Sequence, residues 1–171
     1  MGSAWRLERG REPLAPITGY CDHVMPMTLL ALNTGLRRGE ITQLTWPDVD
    51  LIAKRVTVRA GYAKSGKARH VPLNSEAVTT LTQWKKQHPE GRLFNVIGIP
   101  KAWAALMLAA NIDGFRFHDL RHTFASKLVM AGVDLNTVRE LLGHGDITMT
   151  LRYAHLAPEH KAAAVEKLVR G

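Results

Sequence analysis

The apolar residues of this chain keep a helical period almost throughout and break it once. Arg55-Val-Thr-Val-Arg59 alternates charged or polar with β-branched side chains, the two-residue period of a strand. Gly61 to Lys67 is rich in Gly, Ser and Lys, and Arg69-His-Val-Pro-Leu73 resumes an extended pattern that Pro72 closes. Residues 55–73 are therefore expected to form a β-hairpin whose loop carries Lys64 and Lys67. Ahead of it, Val24, Met27, Leu30 and Ala31 recur at helical spacing up to Gly35. A second helix is expected from Arg37 towards Trp46, where Pro47 ends it. Behind the hairpin, residues 75–87, 100–110, 119–131, 134–142, 147–153 and 159–169 all read as helices. Ser75, Asp119 and Asp134 are natural N-caps, and Gly132 and Gly143 natural stops. The pattern predicts an α+β domain, mainly helical, with a small antiparallel sheet inserted near its first third.

The 171 residues suit one compact domain, and 46% hydrophobic content is enough for a core. Residues 1–16 are charged, contain two prolines and show no apolar period, so they read as a linker or an added arm. The folded part is expected over residues 17–171. A net charge of +8 favours a polyanionic partner, nucleic acid first and acidic membrane second. The single cysteine, Cys21, cannot form an internal disulfide, which fits a reducing compartment. The longest apolar stretch, Trp103 to Ala110, is too short to cross a bilayer, and no secretory leader is apparent. The expected location is cytoplasmic, without a membrane partner.

If the polyanion is DNA, a phosphodiester could be a substrate as well as a contact. Its oxygens gather charge in a displacement reaction, and a planar guanidinium donates two parallel hydrogen bonds to such a group. The reaction also needs a nucleophile and a proton donor for the departing sugar oxygen. The chain offers a candidate for each part. Arg37 follows the Thr34-Gly35 turn. His118 and Arg121 lie three residues apart at the start of one helix, hence on one face. His144 lies between Gly143 and Gly145, and Tyr153 follows one short helix later. Arginines near Tyr153 would stabilise its phenolate, and a neighbouring histidine could take its proton.

Thr34-Gly-Leu-Arg-Arg-Gly-Glu40 resembles the first arginine motif of the tyrosine recombinases of the phage integrase type. Ala63 to Leu73 resembles their hairpin lysine motif, and His118-Asp-Leu-Arg-His-Thr-Phe-Ala-Ser126 their His-x-x-Arg box. Leu141 to Ile147, with Thr150 to His155, resembles their second histidine and nucleophile region. The resemblance runs from about Val24 to the C-terminus. It implies the catalytic-domain fold of that family and metal-independent, cofactor-free strand cleavage and rejoining on double-stranded DNA. Position by position, it implies that Arg37 and Arg121 clamp the scissile phosphate. Tyr153 attacks to give a 3′-phosphotyrosyl link, and Lys64 protonates the 5′-oxygen. His118 assists proton transfer, His144 hydrogen-bonds the phosphate, and Glu40 orients Arg37. One departure is Gly145, where serine is more usual, at the cost of a possible cap for the next helix. The resemblance also implies further recombinase subunits around a synapse and a helical core-binding domain ahead of the catalytic one, which is not expected within residues 17–171. Residues 159–169 carry Ala162, Val165, Leu168 and Val169 as an apolar stripe, expected to dock on its own domain or on a neighbouring subunit.

Each of these residues taken singly has a plainer explanation: a solvated arginine, a capping histidine, a half-buried tyrosine. Only their conjunction argues for chemistry. Two rival readings fit the same residues. Residues 124–150 could be a helix-turn-helix of a non-enzymatic DNA-binding module. Alternatively, Asp119, Asp146 and Glu40 could form the carboxylate cluster of a metal-dependent nuclease.

Overall fold

The computed structural model describes residues 19–61, 66–94 and 99–158, together with 165 and 169. The expected arm at 1–16, Lys64 and all but two residues of the expected helix at 159–169 lie outside the described residues.

The first helix, α1 (Val24–Thr34), buries Val24, Met27, Leu30 and Ala31, and stops at Gly35 with φ 64°. The second, α2 (Arg38–Gln43), is shorter than its sequence pattern suggests. Leu44 leaves it in an extended conformation, and the chain there pairs with a distant segment. Leu93 donates its amide to the Leu44 carbonyl at 3.0 Å, and Trp46 donates to Gly91 at 3.3 Å. A non-local pairing thus ends α2, and Pro47 sits instead inside a 3₁₀ turn, Trp46–Asp48.

Among the described residues the sheet has three strands, not two: β1 (Val49–Asp50), β2 (Arg55–Val58) and β3 (Arg69–Pro72), antiparallel in that order. Val56 faces Val71 across the ladder, and Val56, Val58 and Val71 are buried while Thr57 and His70 lie on the other face. Two-residue β1 was missed because so short a strand shows no period; its pairing with Val56 and Arg55 defines it.

Helix α3 (Ser75–Gln87) matches its pattern, capped one residue earlier than expected by Asn74, which accepts the Ala77 amide at 2.9 Å. Then follow α4 (Ile99–Ala109), α5 (Asp119–Met130), α6 (Leu135–Leu142) and α7 (Thr148–Leu151), with a closing 3₁₀ turn at Ala154–Leu156. Asp134 caps α6 as expected, accepting the Thr137 amide at 2.9 Å. Asp119 does not cap α5; it lies in the first turn and accepts the Arg116 amide at 2.8 Å. Helix α7 is one turn long, where the pattern of residues 147–153 predicts a longer helix. No helix among the described residues is long and apolar enough to cross a membrane.

Two apolar cores share α5. The larger joins α1, the sheet and α3, and includes Leu120. The smaller holds Ala125, Val129, Val138, Leu142 and Tyr153. Arg121 follows Leu120 directly, so one helix carries an arginine to the boundary between the cores.

Candidate active site

A cleft of about 410 Å³ is lined by Arg37, His118, Arg121, His122, His144, Thr148, Met149, Arg152 and Tyr153. The structure thus brings together five of the residues singled out from sequence: Arg37, His118, Arg121, His144 and Tyr153. Lys64 lies outside the described residues, and Lys67 is exposed.

Arg121 is only 4% exposed. Its Nη1 donates to the Gly35 carbonyl and its Nη2 to the Leu142 carbonyl, each at 2.7 Å. These carbonyls close α1 and α6, so the guanidinium sits between two helix C-termini, the partially negative ends. That environment offsets much of the cost of burying a cation. Burial, then the nearby Arg37 charge, pushes its pKa down to about 9, which still leaves it cationic at neutral pH. Gly35 makes the approach possible, since a Cβ there would collide with the ring of Phe124 on α5.

Arg37 stands at the N-cap of α2 in extended conformation. Glu40 reaches back to it: Oε2 accepts the Arg37 amide at 2.9 Å, and Oε1 lies 3.2 Å from its Nη1. The pair is therefore a helix-start contact, not two side chains along one helix face. Glu40 also accepts both terminal nitrogens of Arg69, at 2.9 and 2.8 Å. Burial pushes the Glu40 carboxyl up, but the Arg69 hydrogen bonds, the Arg37 amide and the two charges outweigh it and hold the pKa below 4.5. Arg69 was not singled out from sequence. The available signal was its place at the start of the returning strand, within the lysine-bearing hairpin motif.

His144 is 8% exposed, and its Nδ1 lies 2.9 Å from Thr150 Oγ1. Burial and the charges of Arg121, Arg37, Arg152 and Arg69 push its pKa down to about 4, so it is neutral at pH 7. Its amide closes α6 by donating to the Arg139 carbonyl at 3.0 Å. Gly143 before it has φ 64°, and a Cβ there would lie 2.8 Å from Arg69 Nε. The end of α6 thus rests on the arginine that holds Glu40. The cap missing at Gly145 is supplied by Asp146, whose Oδ1 accepts the Thr148 amide at 2.9 Å.

Tyr153 is 6% exposed. Arg152 and Arg121 pull its pKa down as expected, but burial pushes harder and the net shift is upward. The phenolate is therefore not the resting form. The phenol oxygen lies 2.6 Å from His122 Nδ1. His122 is not among the residues singled out from sequence. The legible signal was its spacing of four from His118, which puts the two rings on one helix face, 5.1 Å apart edge to face. Burial lowers both histidines, helped by His122 and Arg121 at His118 and by Arg152 at His122.

The three acids of the nuclease alternative go separate ways. Asp119 pairs with Arg116, Asp146 binds Thr148, and Glu40 is held by Arg37 and Arg69. Among the described residues, no three His, Cys, Asp or Glu side chains are grouped so as to hold a metal ion. A larger hollow of about 810 Å³, lined by Trp84, His88, Leu93 and Phe94 among others, shares no residue with the cleft. The cleft itself combines the arginines Arg37, Arg121 and Arg152 with the Tyr153 hydroxyl, an arrangement whose donors can meet an anionic centre.

Comparisons with known proteins bear on the family and the fold. The chain is 38% identical over 172 residues to the integrase of Salmonella phage P22, covering 90% of this chain and 42% of that protein. It superposes on the catalytic domain of bacteriophage HP1 integrase with a TM-score of 0.68 and 34% identity, covering 82% of this chain and 79% of that one. The Tn1549 transposon integrase, solved in complex with circular intermediate DNA, shares the fold at a TM-score of 0.66 and 22% identity over 85% of this chain and 58% of that one. The chain spans about two-fifths of the length of the curated relatives it matches. The model of the phage integrase family matches residues 20–160, so the chain belongs to that family, as a tyrosine recombinase catalytic domain.

Proposed function

We propose that the chain performs the strand-transfer chemistry of site-specific DNA recombination, integration or excision, without a metal or cofactor. The observation that carries this reading is the gathering of the Tyr153 hydroxyl with Arg37, Arg121, His118 and His144 in one cationic cleft. Tyr153 attacks the phosphorus of a DNA phosphodiester. The bond to the 5′-oxygen breaks, leaving a 3′-phosphotyrosyl link and a free 5′-hydroxyl. Attack by another 5′-hydroxyl reverses the step on a new partner strand. The bond energy stays in the phosphotyrosine, so rejoining needs no nucleotide.

Arg37 and Arg121 hold the non-bridging oxygens where charge gathers, and Arg121 is preorganised by the two carbonyls it already binds. His144, neutral, offers a ring nitrogen to the same phosphate, and His118 assists proton transfer. Lys64 supplies the proton to the 5′-oxygen, and Glu40 orients Arg37. The catalytic domain comprises residues 17–171. The partners are double-stranded DNA and, in a synapse, further recombinase subunits; the net charge of +8 supports the first. The setting is a bacterial or phage-infected cytoplasm.

The test uses the full chain and a pool of nicked random-sequence duplexes in excess EDTA, resolved on a denaturing gel. The expected result is a covalent protein–DNA adduct with a free 5′-hydroxyl, absent with Tyr153→Phe. An adduct that survives in Tyr153→Phe, or none with the wild-type chain, would overturn the reading.

A further inference from the structure

The nucleophile's proton needs an acceptor, and the structure offers one outside the roles given so far. The Tyr153 oxygen and His122 Nδ1 are 2.6 Å apart, the separation of a strong hydrogen bond. No other hydrogen bond from the Tyr153 hydroxyl occurs among the described residues. The arrangement that satisfies the phenol's one donor is therefore O–H donating to an unprotonated Nδ1, with the imidazole proton on Nε2. The pair is held from both sides. His122 is fixed in the second turn of α5, and Tyr153 packs in the smaller core with Ala125 and Val129 of that helix.

We infer that His122 is the general base for Tyr153, a catalytic residue that takes the phenol proton on Nδ1 as the tyrosine oxygen bonds to phosphorus. This rests on the reading of Tyr153 as nucleophile. The step balances: the O–H bond breaks and N–H forms at His122, while O–P forms at Tyr153 and the P–O5′ bond breaks. The 5′-oxygen takes its proton from a separate donor, and the imidazolium returns its proton on reversal. At rest the transfer is uphill, because burial raises the phenol and lowers the imidazole. The proton therefore moves only as O–P bonding makes the phenol oxygen acidic. The same lowering keeps His122 unprotonated, hence able to accept, at neutral pH. The groups that tune it are Arg116, His118, Asp119 and Arg121 on α5 and just before it, and Arg152 and Tyr153 after α7.

The decisive variants are His122→Ala, which removes the base, and His122→Asn, which can still accept a hydrogen bond but cannot hold the proton. Duplexes captured by the wild-type chain from the random pool serve as substrate, and thermal melting checks that each variant is folded. Both variants should form adduct about 10²–10⁴-fold more slowly, with gel-shift affinity unchanged. The wild-type rate should climb with pH through the His122 titration, and that climb should vanish in both variants. A folded variant of either kind reacting at the wild-type rate would overturn the proposal, as would restoration by asparagine, which would reduce His122 to positioning. If the wild-type chain formed no adduct, the nucleophile reading would fail first, and this inference with it.

Discussion

Arg69 grips Glu40 with both terminal nitrogens, at 2.9 and 2.8 Å, across 29 residues of sequence. The pair ties the hairpin to the start of α2, and the same carboxylate holds Arg37. Glu40 and Arg69 side chains are 1% and 13% exposed, so the pair is nearly dry. Removing one partner of a buried pair costs about 3–5 kcal/mol, because the other charge is left without compensation. Glu40→Ala strands Arg69, whereas Arg69→Ala leaves Glu40 with Arg37. Urea unfolding should therefore show the glutamate variant as the less stable of the two. Equal losses would mean that Arg37 adds nothing to the pair.

Acid should weaken the fold in two stages. Histidine His144, pushed down to about 4 from an ordinary 6.5, binds its proton in the unfolded chain first. The stability it contributes is complete above pH 6.5 and is lost as pH falls from there to about 4. Glu40 and Asp48 are held below their ordinary 4.5 and 3.8. Their contribution is complete above those values and disappears as pH falls below them. Urea midpoints measured from pH 8 to pH 3 should decline through both windows. In His144→Gln the decline between pH 6.5 and 4 should be shallower; an unchanged slope would assign it to other groups.

Two nearby glycines should respond unequally to alanine. Gly143 has φ 64° and Arg69 Nε only 2.8 Å from the place of a Cβ, whereas nothing lies within 4 Å at Gly145. A left-handed alanine costs about 1–2 kcal/mol before any clash, so Gly143→Ala should exceed that loss. Gly145→Ala should stay within about 0.5 kcal/mol of wild type. Chemical denaturation of both variants checks this, and a neutral Gly143→Ala would show that Arg69 can shift freely.

Arg37 and Arg121, the two arginines proposed to clamp the phosphate, should separate stability from rate. Arg121 satisfies two helix-terminal carbonyls from a buried position, while the Arg37 side chain is 20% exposed. Loss of either donor should slow adduct formation by about 10²–10³. Arg121→Ala should also lower the melting temperature clearly, and Arg37→Ala much less. Melting curves beside single-turnover adduct rates make the comparison; equal melting losses would contradict the structural role assigned to Arg121.

Most helices and the hairpin were readable from sequence because their causes are local. The apolar spacing of Val24 to Ala31, the alternation of Arg55 to Arg59, the stops at Gly35 and Gly143, and the Asp134 cap each act within a turn or a strand. The candidates Arg37, His118, Arg121, His144 and Tyr153 were readable as residue types in a motif order. What remained hidden depended on contacts between distant segments. The early end of α2 follows from Leu44 pairing with Leu93, and the existence of β1 from its pairing with β2. Nothing local marks Arg69 or His122; their partners Glu40 and Tyr153 reach them only through folding. The sign of the Tyr153 shift was hidden for the same reason. Sequence shows arginines near a tyrosine, but burial, which opposes them and prevails, exists only once the smaller core has closed around the ring.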